Sequence, residues 1–278
     1  SDITYLINTN MAYRLLVLDL DGTLTNSRKE ITPHTLETLI HAQERGIKIV
    51  LASGRPTYGV APVADKLRLT DFGGYILSYN GGEIVDWKSK EMLYENVIEP
   101  EALPYLYECA QKNDFAIVTY HNEFVITEYP DDEYVQKEAL LNVMQLKKVD
   151  HFLDAIQFPV VKCMIVGDPA RLIRLEKEMF DYLKDRMGVF RSEPYFLELV
   201  PKGIDKAQSL AVLLKRLDIV PEEVIACGDG FNDLPLIKYA GLGVAMANAQ
   251  PVVREHADYV TRSNDEDGVA HVVEEFIL

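Results

Sequence analysis

The chain has 278 residues, 48% hydrophobic and 26% charged, enough for one large or two medium domains with buried cores. Its 28 basic and 44 acidic residues leave a net charge of −16, which disfavours partners carrying phosphate backbones or anionic membrane surfaces. Three scattered cysteines, Cys109, Cys163 and Cys227, have neither zinc-type spacing nor a disulfide framework, and they suit a reducing cytoplasm.

No apolar run is long enough to span a bilayer, and residues 1–10 lack the zones of a secretory signal. These residues, ahead of Met11, read as an added or disordered lead. The run Leu15-Leu16-Val17-Leu18 predicts a buried strand over 14–19. Residues 22–32 have neither period and read as a flap. A helix over 33–45 is opened by Thr32-Pro33 and closed by Gly46. A strand over 47–52, a helix over 56–68 and a strand over 75–79 complete a β-α-β rhythm, the mark of a parallel sheet.

From about residue 84 the texture changes. Phe115–Tyr120 and Glu123–Glu128 are strand-like runs separated by His121-Asn122, a hairpin pattern. A helix near 132–146, a strand at 160–166, a helix at 170–186 and strands at 188–192 and 195–200 follow. The α/β rhythm then resumes, with helices at 204–217, 232–240, 250–256 and from 266. Strands alternate with them at 223–227, 242–246 and 258–261. The expected fold is an α/β, Rossmann-like parallel-sheet core over 11–83 and 200–278, interrupted by an inserted α+β domain over 84–199.

Four polar clusters sit where strands or loops lead into helices. Asp19-Leu20-Asp21-Gly22-Thr23-Leu24 ends the first strand, and by strand alternation Asp19 and Asp21 share a side. Ser53-Gly54-Arg55 follows the second strand and precedes a helix, whose free N–H groups favour anions. Lys206 opens a later helix, and Gly228-Asp229-Gly230-Phe231-Asn232-Asp233 follows the strand over 223–227. Each alone is compatible with a turn or a helix cap. In order, they supply two acid pairs, a hydroxyl and a lysine at the edge where open α/β sheets bind ligands. Two carboxylates about 4 Å apart repel by roughly 4 kcal/mol at an effective dielectric near 20. A hard cation such as Mg²⁺ relieves that repulsion and faces phosphate oxygens, while an aspartate can attack phosphorus.

On these motifs the chain resembles the haloacid-dehalogenase superfamily of phosphatases, in its Cof-like branch of sugar phosphatases with a large subclass IIB cap. Asn80-Gly81 and Ala245-Met246-Ala247-Asn248-Ala249 support the resemblance, and Ala207 and Ala247 depart from frequent glycines. The resemblance implies that Asp19 is the nucleophile and a Mg²⁺ ligand. Asp21 is then the acid and base, with its backbone carbonyl on the metal. Asp229 completes the metal site, and Asp233 holds a bound water or Lys206. It also implies that Ser53, Gly54, Gly22 and Asn232 hold phosphoryl oxygens, and that Lys206 neutralises phosphate and Asp19. Arg55 either touches substrate or braces its loop. Asp21, where transporting ATPases of the superfamily carry threonine, favours a hydrolase or mutase.

The expected partner is a small phosphorylated metabolite, with no nucleic acid, membrane or protein partner inferred. The inserted domain is expected to close over the site, with Tyr120, His121 and Glu123 as specificity candidates against the reading of a solvated turn. His34, His41, His151, His256 and His271 read as surface or capping residues, and Cys227 as core packing. A phosphomutase or phosphotransferase and a non-catalytic phosphate sensor are the alternatives.

Overall fold

The first strand is buried from end to end, Leu15 to Leu18, because neighbours flank it on both edges and helices cover the sheet. In the computed structural model, which describes residues 12–278, the chain divides into two units. The expectation for residues 1–10 lies outside the described residues. The first unit runs to Gly54 and continues over Ala61–Leu93 and Asp205–Leu278; the second holds Arg55–Val60 and Tyr94–Ile204.

Five strands precede the insertion: β1 (Leu15–Leu18), β2 (Lys48–Ala52), β3 (Tyr75–Ser78), β4 (Glu83–Asp86) and β5 (Met92–Glu95). The second unit carries β6 (Ala116–His121), β7 (Phe124–Thr127), β8 (Gln145–Lys148), β9 (Cys163–Val166), β10 (Met187–Glu193) and β11 (Phe196–Pro201). The chain then returns through β12 (Val224–Gly228), β13 (Leu242–Ala245) and β14 (Tyr259–Val260).

The first sheet has the order β14-β13-β12-β1-β2-β3-β4-β5. Pairings from β14 through β3 are parallel, and β4 is antiparallel to β3. Strand order reverses at β1, between β2 and β12, which opens a crevice at their carboxyl ends. The helix Pro33–Glu44 starts as its sequence predicts, with Thr35 N–H donating to Thr32 Oγ1 at 3.2 Å and Pro33 in the first turn. It packs against the final helix, Gly268–Phe276, and the helix Lys206–Leu217 packs on β3 and β4.

Strands β4 and β5 lie beyond residue 83 at their far ends and were not among the expected strands. They extend the first sheet, and the longer stretch of the second unit begins at Tyr94. Their four-residue length and polar ends (Glu83, Asp86, Glu95) hid them.

The second sheet has the order β10-β11-β9-β6-β7-β8 and is antiparallel except between β7 and β8. The helix expected over 132–146 ends at Leu141, and β8 (Gln145–Lys148) begins within its expected last residues. Helix Pro169–Leu183 buries Leu172, Leu175, Met179 and Leu183, one stripe at helical spacing. These side chains join Leu106, Phe152, Ile165 and Leu197 in one core. Cys109, Cys163 and Cys227 are all buried free thiols, and burial raises each thiol's pKa, that of Cys163 to about 12. Among the described residues no helix is long and apolar enough to cross a membrane.

Phe152 is 1% exposed and stacks on Tyr107 with ring centroids 5.8 Å apart, so it anchors the second unit's core. Phe152→Ala is expected to destabilise that unit by about 3–5 kcal/mol. Urea unfolding followed by tyrosine fluorescence checks this through a lowered midpoint.

Candidate active site

Lys206 is a lysine with no exposed surface, which demands complete compensation of its charge. Its Nζ donates to Asp233 Oδ1 at 2.7 Å, to Ala52 O at 2.9 Å and to Asp19 Oδ1 at 3.2 Å. All three ammonium protons are thereby used, two on separate loops and one on the last residue of β2. Burial lowers the lysine's pKa, but Asp19 and Asp233 more than offset this and hold it at about 12. The two carboxylates thus favour the charged ammonium over the neutral amine.

Asp19 caps the end of β1, 7% exposed, with its N–H on Cys227 O at 3.2 Å. The regular strand ends at Leu18, just before Asp19. Residues 20–24 instead form one wide turn, with Leu24 N–H on Asp19 O at 3.2 Å and Thr25 N–H on Leu20 O at 3.1 Å. Gly22 makes the turn possible. Its φ is +79°, and a Cβ there would lie 2.1 Å from Asp229 Oδ2. The loop thus fits closely over the Asp229 carboxylate.

Asp229 accepts from Thr23 Oγ1 at 2.9 Å. Asp233 folds back to take the N–H groups of Asp229 (3.0 Å) and Gly230 (3.1 Å) on Oδ2 while Oδ1 holds Lys206. Gly228 leaves the room, since a Cβ there would meet Asp233 at 2.4 Å.

Asp19, Asp229 and Asp233 bring carboxylate oxygens within 4.8 Å of one another. Burial, and then the charge of Asp233, push the Asp19 carboxyl well above its ordinary range, with Lys206 acting against them. Burial also raises Asp229. Lys206 supplies one positive charge to a set of three carboxylates. The unbalanced remainder, all oxygen donors at one spot, is the chemistry of a metal site for a hard cation.

The remaining expected residues divide. Ser53 is buried at the end of β2, its N–H on Leu77 O at 2.9 Å, directly after the carbonyl that holds Lys206. Gly54 lies against Asn80, with a virtual Cβ 3.2 Å from that side chain. Asn232 is exposed and donates from Nδ2 to Asn80 Oδ1 at 3.0 Å. Asp21 is half-buried and pairs with Lys29 Nζ at 3.0 Å. Arg55 groups with the second unit and is not among the residues that the first unit gathers.

Sequence reasoning missed Lys29, Thr23, Asn248 (whose Nδ2 donates to Gly22 O at 2.9 Å) and the polar role of Asn80. Their polarity was visible; their register across loops was not. In the second unit, Tyr120 donates to Glu138 Oε1 at 3.0 Å, His121 stacks on Phe158, and Glu123 is exposed. Lys162 and Glu198 form a buried ion pair of 3.2 Å nearby, with Lys162 over the Tyr120 ring.

The sequence profile of the haloacid dehalogenase-like hydrolases matches residues 16–273. The chain belongs to the haloacid dehalogenase-like hydrolases. A haloacid dehalogenase-like hydrolase from Bacteroides thetaiotaomicron is similar at 59% identity and a TM-score of 0.92, covering 95% of this chain and 99% of its own. YxeH of Bacillus subtilis is 34% identical over 269 residues, 96% of this chain and 99% of that protein. The subclass IIB sugar phosphatase BT4131 shares 26% identity and a TM-score of 0.76, covering 95% of this chain and 98% of its own. This haloacid dehalogenase-like hydrolase is a Cof-like, subclass IIB enzyme of the phosphatase type, a group that acts on small phosphorylated metabolites.

Lys206→Met is expected to leave Asp19 and Asp233 buried without a counter-charge, costing about 3–5 kcal/mol in the presence of a chelator. Guanidinium unfolding in EDTA, wild type against variant, measures it.

Proposed function

We propose that the protein is a Mg²⁺-dependent phosphomonoesterase of sugar phosphates that works through an aspartyl-phosphate on Asp19. The observation that carries this reading is the three-way contact of Lys206, which aims Asp19 and ties the loops after β1, β2 and β12 to one charge. Asp19, Asp229 and the backbone carbonyl of Asp21 would hold Mg²⁺, which when bound supplies positive charge opposite the phosphoryl oxygens.

An oxygen of the Asp19 carboxylate attacks phosphorus, and the bond from phosphorus to the ester oxygen breaks. Asp21 donates its proton to the departing alkoxide, which leaves as the alcohol. Asp21, now a carboxylate, takes a proton from water as that water attacks the phosphoryl group, and the bond to Asp19 breaks. Inorganic phosphate leaves and Asp21 is again protonated. Ser53, the Gly54 N–H, Gly22 and Asn232 hold the non-bridging oxygens through these steps, and Lys206 balances the charge on Asp19 and phosphate. Asp233 fixes Lys206.

Asp21 stands on a half-buried turn two residues after Asp19, and Lys29 reaches its carboxylate from the flap, favouring the ionised form that takes a proton from water. The second unit would act as the cap that selects the leaving alcohol, with Arg55 part of it. The sugar assignment draws support from the similarity to a subclass IIB sugar phosphatase. Three buried free thiols suit the reducing cytoplasm.

Purified protein with Mg²⁺ is expected to release phosphate from sugar phosphates faster than from nucleotides, and Asp19→Asn to lower kcat by roughly three orders of magnitude or more. A malachite-green assay across a phosphomonoester panel checks both. Turnover in ¹⁸O-water should place label in phosphate; transfer to a second sugar with no labelled phosphate would mean a mutase or phosphotransferase.

A further inference from the structure

The turn between β3 and β4 carries no acid, base or cation, yet it touches three of the four motif loops. Asn80 N–H donates to Ser53 O at 2.9 Å, and Asn80 Oδ1 accepts from Asn232 Nδ2 at 3.0 Å. Gly81 O accepts from Ser209 Oγ at 2.5 Å, and a Cβ at Gly81 would lie 2.5 Å from Asp205 O, at the start of the Lys206 helix. The turn is held in an uncommon backbone. Tyr79, Asn80 and Gly81 have φ of +54°, +57° and +110° in succession, a conformation that side-chain-bearing residues avoid unless the surroundings fix it.

What that backbone achieves is the aim of one carboxamide. A Cβ on Gly54 would lie 3.2 Å from both Nδ2 and Oδ1 of Asn80, so the amide faces the backbone of the Ser53-Gly54 loop. Oδ1 is occupied by Asn232, while Nδ2 makes no hydrogen bond among the described residues. Asn232 is turned the same way, since its Oδ1 lies against Gly230, 2.9 Å from a virtual Cβ there, and its Nδ2 points to Asn80. Two neutral amides thus present N–H groups beside Gly54. Amide N–H groups donate to the oxygens of an anion and add no negative charge beside the three carboxylates.

We propose that Asn80 is a phosphoryl-binding residue, donating from Nδ2 to an oxygen of the substrate phosphate while its Oδ1 orients Asn232 for the same group. This rests on the phosphatase reading above and adds to it a residue outside the four motifs.

Two variants separate binding from bracing. Asn80→Gly keeps the left-handed backbone and the N–H to Ser53 but deletes the amide. Asn80→Asp keeps an acceptor for Asn232 and deletes the donor. Affinity for inorganic phosphate with Mg²⁺ is measured by titration calorimetry, alongside kcat and KM for p-nitrophenyl phosphate and the melting midpoint without ligand. Asn80→Gly is expected to weaken phosphate binding about tenfold. KM should rise in proportion, kcat should change less, and Asn80→Asp should weaken binding further. Wild-type phosphate affinity and KM in Asn80→Asp, with only the melting point lowered in Asn80→Gly, would overturn the proposal and leave Asn80 a brace. So would failure of the wild type to bind phosphate. Calorimetry needs no turnover, so an inactive wild type would count against the phosphatase reading alone.

Discussion

A fully buried ammonium with three fixed partners sets the geometry of this protein. Lys206 has no solvent to fall back on, so Asp19, Asp233 and Ala52 O must each be within reach of one nitrogen. These partners end β1, follow β12 and end β2, strands that are adjacent in the sheet. The parallel register brings their carboxyl ends level, and the lysine reaches them from a helix that packs on β3 and β4. Removing one partner of such a set strands the others, which is why buried charge of this kind is stable only as a complete network.

The same network is deliberately incomplete in charge. One ammonium serves three carboxylates, and the Asp19 and Asp229 carboxyls are both pushed upward by burial before any neighbour acts. A fold stabilised for its own sake would bury apolar groups here. Gly22 and Gly228, where side chains would collide with Asp229 and Asp233, show that the backbone has been fitted around the acids. The turn Tyr79–Gly82 then joins the loops after β2 and β12 and the start of the Lys206 helix, using left-handed backbone and amides in place of charge.

Much of this was legible in the sequence because the informative residues sit where periodic runs end. Asp19 follows four buried apolar residues, Ser53 follows a strand, and Asp229 opens a loop before a helix; position and residue type together marked them. What stayed hidden depended on register across distant loops. Nothing local in Lys29 shows that it reaches Asp21, and nothing local in Asn80 shows that it meets Asn232, 152 residues away. Strands β4, β5 and β8 were missed for another reason: four residues with polar ends are too few to print a period. The turn over residues 20–24 was not foreseen either, because its course depends on the glycine at Gly22 and not on a strand period.

The central claim, that Asp19 and Asp229 share one divalent cation under the control of Lys206, is tested most directly by anomalous diffraction from crystals soaked in Mn²⁺ as a stand-in for Mg²⁺. The account predicts a single strong peak within bonding distance of a carboxylate oxygen from each aspartate, with Lys206 still on Asp19 and Asp233. Density for the ion elsewhere, or none at saturating Mn²⁺, would contradict it.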